Sequence, residues 1–208
     1  MKTTLLIWLF LVTYTSSIFG SSLKELTGPI DPSPIKYLVF YGYDISYSKI
    51  TDPKRSGVDL ARYMLELVGE LQVQVDERRL VKWSKATEVT LNHDALYAVN
   101  RQVKSPELFY PNYRGESKLT KDSIQKIISL YNISEKDGTG FVILFEFLSK
   151  ERKSVSGYGC LFDIKSRRII NLMHHESYDS NGYNSFRDYW VPATKLVRTF
   201  CEQINGGQ

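Results

Sequence analysis

The sequence has few of the residues that carry the commonest catalytic and metal chemistry. It contains two cysteines and three histidines in 208 residues. The patterns G-x-S-x-G, C-x-x-C, H-E-x-x-H, G-x-x-x-x-G-K and G-x-G-x-x-G are all missing. Their absence removes the usual sequence signs of a serine-hydrolase elbow, a redox or zinc dithiol, a zinc-protease helix and a phosphate-binding loop. No cofactor is indicated.

An excess of one charge is also lacking. The chain has 27 basic and 23 acidic residues. Residues 1–20 contain Lys2 and no acid, so their removal leaves 26 basic against 23 acidic residues, a net charge of +3. Electrostatic nucleic-acid binding requires a dense basic stripe. A nucleic-acid partner is therefore not expected.

The N-terminus carries an apolar run from Leu5 to Val12, preceded by one lysine and followed by small or polar residues. This pattern is typical of a secretory signal peptide over residues 1–20, and the run is too short to cross ~30 Å of hydrocarbon. No cysteine lies near the expected cleavage region, so a lipid anchor is not supported. We predict an exported protein, periplasmic, in the outer envelope or extracellular, with no integral membrane segment after signal removal.

Residues 21–34 contain three prolines and a glycine, spacing that interrupts both helices and sheet ladders. They predict an extended tether. Residues 35–208 show no internal repeat and no low-complexity segment, and their number suits one domain with a substantial core. We therefore predict a single α/β domain over 35–208.

Hydrophobic periodicity predicts three main helices, over 58–71, 121–131 and 185–204. Leu96, Val99 and Val103 indicate a further helix that ends near Ser105. Residues 72–92 fit either a strand or a helical continuation, and both interpretations stay open.

Continuous apolar runs predict strands over 35–42 and 141–148, and the second should lie in a sheet interior. Two further strands, 155–164 and 168–175, are joined by a tight polar turn and should pair antiparallel. Residues 108–110 suggest a short strand. The predicted fold class is α/β with α+β character: a mixed sheet with a C-terminal three-strand antiparallel meander, and helices packed on both faces.

The two cysteines, Cys160 and Cys201, allow one intramolecular pairing in an oxidising compartment. Both lie at apolar positions of their predicted elements, which favours two buried thiols that behave as small hydrophobic residues. The alternative is a disulfide closing about 40 residues, worth ~4 kcal/mol on the chain-entropy description.

Reactive side chains are concentrated in residues 174–190, HHESYDSNGYNSFRDYW. His174 and His175 are adjacent on a predicted strand and should point to opposite faces. A shared zinc ion is therefore not predicted.

The segment that begins at Asp179 resembles the start of a calcium loop. The EF-hand pattern then requires glycine at its sixth position and glutamate at its twelfth, where this chain has Asn184 and Trp190. No metal site is predicted here, and a solvated turn is the preferred interpretation.

Ser185 and Asp188 have the spacing of a helix capping box, which places a helix N-terminus directly after a glycine-containing loop. We interpret this stretch first as a strand-to-helix junction, with Phe186, Tyr189 and Trp190 as core anchors. A helix N-terminus also favours anions. The candidate ligand-binding residues are Glu176, Asp179, Asn181, Tyr183 and Arg187.

Two functional hypotheses follow. The first is a non-enzymatic binding or interaction module, with an envelope protein or a small anionic or sugar-like ligand as partner. The second is a hydrolase that uses Glu176 and Asp179 with His174 or His175. The second requires these side chains to converge in one concave pocket, whereas the first allows dispersed polar groups or an aromatic surface.

Residues 118–197 carry a recurring arrangement. KLTKDSIQKIISLYNISEKDGTGFVILFEFLSK is followed by a strand pair containing LFDIKSRRII and then by G-Y-N-S-F-R-D-Y-W. This stretch resembles an uncharacterised family of small exported bacterial proteins. The resemblance implies α/β architecture and a periplasmic or outer-envelope setting, and it carries no assigned reaction.

Overall fold

A computed structural model describes residues 35–51, 59–110, 119–149, 151–178 and 189–204. The predicted signal peptide, the predicted tether and residues 179–188 lie outside this part of the chain. The strands are β1 (Tyr37–Asp44), β2 (Lys49–Ile50), β3 (Glu88–Leu91), β4 (Thr139–Ser149), β5 (Ser154–Asp163) and β6 (Ile169–Tyr178). The helices are α1 (Leu60–Gln74), α2 (Glu77–Ser84), α3 (Asp94–Asn100), α4 (Ser105–Leu108), α5 (Lys121–Ser129) and α6 (Trp190–Ile204).

The strands form one mixed sheet in the order β3-β1-β4-β5-β6. β1 pairs in parallel with both β3 and β4, and β2 adds a short parallel pairing to the far end of β4. β4, β5 and β6 form an antiparallel meander. The α/β class and the C-terminal meander are therefore confirmed.

Alternate residues of the same strands belong to two different hydrophobic core clusters. Leu38 and Phe40 of β1 belong to the first cluster, and Val39 and Tyr41 belong to the second. Because successive side chains of a strand point to opposite faces, the clusters lie on opposite sides of the sheet. The first also contains buried residues of α1, α2, α4 and α6, and the second contains those of α3 and α5.

The helix starts follow local hydrogen-bonding rules. The Asp59 side chain accepts from the Arg62 N–H at the start of α1, and that of Asp76 accepts from the Arg79 N–H at the start of α2. α5 begins with a reciprocal capping box between Thr120 and Ser123. Such caps satisfy N–H groups that have no partner inside the helix, each contributing about 1 kcal/mol.

The turn between β5 and β6 is the predicted hairpin. The Asp163 carboxylate accepts from both the N–H and the hydroxyl of Ser166, at 2.7 and 2.6 Å. Arg167 follows with a φ of +59°, and its left-handed backbone returns the chain to the Asp163–Arg168 bond of 2.9 Å. The polar residues of the turn thus fix the register of the last two strands.

The structure corrects two predicted elements. Residues 105–108 form the single turn α4, so the short strand expected at 108–110 is wrong except for a bridge between Phe109 and Ile50. The helix indicated by Leu96 ends at Asn100, before Val103. Pro106 lies in the first turn of α4, where a proline is tolerated.

Cys160 and Cys201 are free and fully buried. Cys160 belongs to the second core cluster and Cys201 to the first, so the sheet separates the two thiols. Side chains that point to opposite faces cannot form a disulfide without backbone movement. The alternative of a Cys160–Cys201 bridge is therefore not realised.

α6 packs on β5 and β6, with Pro192 in its first turn, where a proline is tolerated. Tyr189, just before the helix, is buried as expected. Trp190 is not a core anchor, because 38% of it is exposed. The seven helical residues that form the buried face are Pro192, Ala193, Leu196, Val197, Phe200, Cys201 and Ile204.

None of the helices in the described ranges combines the length and the apolar character that a membrane span needs.

Gly159 tests the packing of α6 on the sheet, and Gly69 in α1 serves as the control. A Cβ added to Gly159 would lie 2.6 Å from the Phe200 ring, whereas one added to Gly69 in α1 meets nothing within 4 Å. We expect Gly159→Ala to destabilise the protein by about 1–3 kcal/mol through overpacking. Gly69→Ala should stabilise it by up to about 1 kcal/mol through helix propensity. Urea unfolding midpoints measure both, and equal shifts would contradict the described packing.

Candidate functional site

The carboxyl end of β1 carries a buried acid in a dense polar network. Asp44 is 1% exposed. One of its oxygens accepts from the N–H and the hydroxyl of Ser46, at 2.8 and 2.5 Å, and the other accepts from the Tyr131 hydroxyl at 2.6 Å. Burial raises the pKa of Tyr131 well above its ordinary value, and the Asp44 charge adds to this effect. Tyr131 is therefore a neutral donor that helps to solvate the carboxylate.

Asn100 fixes the backbone beside Asp44. Its side-chain amide donates to the Tyr43 carbonyl at 2.7 Å and accepts from the Ile45 N–H at 3.0 Å. Asn100 is the last residue of α3 and is buried. One side chain thus joins the end of β1 to the end of a helix, and the chain between residues 43 and 45 is held on both sides of the acid.

A cavity of about 540 Å³ opens next to this network. Its size falls in the range of small-molecule sites. Its wall combines the segment after β1, the end of α3 with its following turn, α4 and the end of α5. The lining residues are Ser46, Tyr47, Val99, Gln102, Val103, Glu107, Ile127, Leu130 and Tyr131.

The position of the cavity follows from the strand order. The chain passes from β1 to β3 through α1 and α2 of the first core cluster, and from β3 to β4 through α3 and α5 of the second, with α4 on the side of the first. The two connections therefore run mainly over opposite faces of the sheet. In parallel α/β sheets, a crevice forms at the carboxyl ends of strands where the connections diverge in this way.

The wall of the cavity is mixed in polarity. Hydroxyl, amide and carboxylate groups come from Ser46, Tyr131, Gln102 and Glu107, and the exposed ring of Tyr47 adds a flat surface. Among the described residues, none that lines the cavity carries a positively charged side chain. This chemistry suits a neutral ligand with several hydroxyl groups better than an anion.

A second polar cluster lies on β4, β5 and β6. The Glu146 carboxylate accepts from the Ser156 hydroxyl at 2.8 Å and lies 2.7 Å from Nε2 of His174. Glu146 sits at a β-bulge between Phe145 and Phe147. Glu146 and Ser156 are buried, whereas 30% of the His174 side chain is exposed. The cluster can hold the His174 ring in one orientation.

The predicted site residues of β6 divide between the two faces of the sheet. The His174 ring lies 4.6 Å from that of Tyr158 in the second core cluster, whereas the His175 ring contacts Phe200 of the first. The two histidines thus point to opposite faces, as expected. Glu176 shares the strand face of His174 and has one buried oxygen without a hydrogen-bond partner.

The other four candidate ligand-binding residues, Asp179, Asn181, Tyr183 and Arg187, lie outside the described residues. Within the described ranges, no group of three or more histidine, cysteine or acidic side chains could hold a metal ion.

The candidate residues of the cavity were missed because they come from segments that are distant in the sequence. Asp44 and Tyr131 are separated by 87 residues. One signal was available: Asp44 ends an apolar strand, and polar residues at the carboxyl ends of strands are frequent in α/β ligand sites. No comparable pattern marks Gln102 or Glu107.

Comparisons of the chain with protein-family models, with curated proteins and with solved structures gave no match. The class is therefore defined by architecture alone: an α/β domain with a mixed sheet and a cavity at the carboxyl end of β1.

Removal of the Tyr131 hydroxyl tests the Asp44 network. We expect Tyr131→Phe to lower the free energy of unfolding by about 1.5–3 kcal/mol, because the deleted hydrogen bond serves a buried carboxylate. The control is Tyr97→Phe, since Tyr97 is an exposed tyrosine whose hydroxyl accepts from Arg101. That change should cost under about 0.5 kcal/mol. Equal losses would contradict the role of Tyr131.

Substitution of His93 tests how a buried histidine near the same edge of the sheet affects the pH dependence of stability. The two ring nitrogens of His93 are buried, and burial lowers its pKa below the ordinary value of 6.5. Burial likewise lowers the pKa of His175. At acidic pH the unfolded chain therefore binds more protons than the folded chain. The contribution of these two histidines to stability is fully present above pH 6.5 and is lost as the pH falls.

We therefore expect urea unfolding to give a lower free energy at pH 5.5 than at pH 7.5. In His93→Gln this difference should shrink, whatever the absolute stability of the variant. The carboxyl groups with lowered pKa, Asp59, Glu135 and Asp163, lose their contribution only at more acidic pH. A pH difference unchanged by the substitution would contradict the described burial of His93.

Proposed function

We propose that this protein is an exported, non-enzymatic binding domain whose ligand occupies the cavity at the carboxyl end of β1. The observation that carries the proposal is the cavity itself, which has a ligand-sized volume beside the rigid Asp44 network. The export part rests on the apolar N-terminal run and the small residues that follow it.

The chemistry of the cavity favours a small sugar-like ligand among the partners expected from the sequence. Sugar hydroxyl groups both donate and accept hydrogen bonds, and the cavity offers the Gln102 amide and the Glu107 carboxylate as partners. Tyr47 is 46% exposed and can pack against the apolar face of a sugar ring. An anionic ligand receives less support, because Glu107 and the nearby Asp44 are acidic.

Binding without reaction is supported by how the polar groups are engaged. The Ser46 hydroxyl donates to the Asp44 carboxylate, and Asp44 also accepts from Tyr131. An activated serine would instead donate to a histidine base. The groups at this edge thus complete one another's hydrogen bonds and position the cavity wall.

The hydrolase hypothesis remains the second candidate because of one contact. The pair of Glu146 and His174, 2.7 Å apart, is an arrangement in which a carboxylate orients an imidazole. It would use His174 as base, with Glu146 in the orienting role. His175 takes no part in this version, since its side chain lies on the other face.

The test is calorimetric titration of the purified protein with the methyl glycosides of glucose, galactose, mannose and N-acetylglucosamine, and with glucose 6-phosphate and glucuronate. We expect one of the neutral glycosides to bind. Tyr47→Ala and Gln102→Ala should each weaken that binding about tenfold, the loss of ~1.4 kcal/mol of contact.

The matched control for Tyr47→Ala is Tyr97→Ala, which removes an exposed tyrosine outside the cavity. It should leave the affinity unchanged. The proposal is overturned if none of the neutral glycosides binds, or if binding survives Tyr47→Ala and Gln102→Ala at full strength. Hydrolysis of a glycoside that is abolished by His174→Gln would support the second candidate.

A further inference from the structure

β6 is an edge strand of ten residues that pairs with β5 on one side. On its other side, only the two ends of the strand meet side chains among the described contacts. The Ile169 N–H donates to the side-chain oxygen of Gln125 at 3.0 Å, and Lys195 donates to the Tyr178 carbonyl at 3.4 Å. Among the described residues, no hydrogen bond is made to the outer edge of the middle of the strand.

The backbone direction along β6 follows from the Tyr178 contact. In an antiparallel ladder, the N–H and C=O groups of alternate residues point to opposite sides of the strand. Because the Tyr178 carbonyl points away from β5, the same holds for Glu176, His174 and Leu172. These three residues therefore offer a continuous row of outward donors and acceptors.

Natural edge strands are usually short or carry lysine or proline, which prevent the addition of another strand. β6 has neither residue type, and Glu176 is its one formally charged side chain at neutral pH. The opposite edge of the sheet, β3, has four residues. The long edge is thus built to accept a strand, whereas the short one is not.

We propose that β6 pairs with β6 of a second copy of this chain, antiparallel and about a two-fold axis at His175. The two sheets then become one continuous sheet. This interface is independent of the cavity at the carboxyl end of β1 and of any ligand there.

This register is self-complementary. It places His174 opposite Glu176 of the second copy, and the same pair recurs on the other side of the axis. The Glu176 carboxylate, one oxygen of which has no hydrogen-bond partner among the described residues, thereby faces the His174 imidazole of the second copy. Tyr178, which is 56% exposed, lies opposite Leu172 of the second copy. A hydrogen-bonding polar pair and an aromatic–aliphatic pair are both favourable across neighbouring strands.

A cysteine at the axis tests the register directly. Residues at position 175 of the two copies form a pair without mutual backbone hydrogen bonds, for which the Cα separation is about 4.5 Å. That distance permits a disulfide. We expect His175→Cys to form a covalent dimer on mild oxidation. The native cysteines do not compete, because Cys160 and Cys201 are fully buried.

Ile170→Cys is the matched control on the same strand. Ile170 is 54% exposed, so its thiol would be accessible. It lies five residues from the axis, which separates the two copies of this position by ~33 Å. We expect no disulfide dimer from this variant, and a yield equal to that of His175→Cys would overturn the proposal.

Sedimentation measured over a range of concentrations tests the association without a cross-link. We expect the unmodified protein to be dimeric at 100 µM and Glu176→Lys to dissociate at least tenfold more readily. Glu88→Lys makes the same charge change at an exposed position of the other edge strand and should leave the dimer intact. Circular dichroism confirms that each variant is folded.

Three results would overturn the proposal. The first is an unmodified protein that is monomeric at 100 µM, and the second is a dimer that Glu176→Lys does not weaken. The third is a monomer whose β6 amides are protected only by an added extended peptide, which would show docking of a different chain.

Discussion

The burial of β4 on both faces is the constraint on which the rest of the structure depends. Ten of its eleven residues are buried, and side chains alternate between the two core clusters along its length. Each large apolar side chain buried there contributes about 1.5–3 kcal/mol. A strand of this kind needs an apolar layer on each side, and the two core clusters supply these layers. β4 also joins the two halves of the sheet, because it is parallel to β1 and antiparallel to β5.

The same constraint places the polar groups. Along an apolar strand, a carboxylate is tolerated only where other groups complete its hydrogen bonds. Asp44 meets this condition at the end of β1 through Ser46 and Tyr131, and Glu146 meets it at a bulge in β4 through Ser156 and His174. Both acids therefore mark margins of the core. At the first margin the diverging connections leave a cavity, and the second margin lies beside the exposed edge strand.

The sequence predicted most of what burial decides. The apolar runs of β1 and β4, the hairpin at 163–168 and the amphipathic face of α5 were all legible, because each is a local pattern of period two or 3.6. Residues 72–92 were not, since α2 is a helix of eight residues and β3 is a strand of four, and both are too short for a clear period. The prediction that Trp190 is a core anchor was wrong, because an aromatic residue in the first turn of a helix can face either the core or solvent. The cavity could not be predicted, since residues 46, 102 and 131 meet only through the strand order.

Native-state hydrogen exchange measures the central claim most directly. The account predicts that the amides of Val142 to Leu148 in β4 exchange only through global unfolding, with protection equal to the full free energy of unfolding. The amides of α2 and α4, at the periphery, should exchange through smaller local openings. The account is contradicted if the β4 amides exchange faster than those of α2, because the doubly covered strand would then not hold the sheet together.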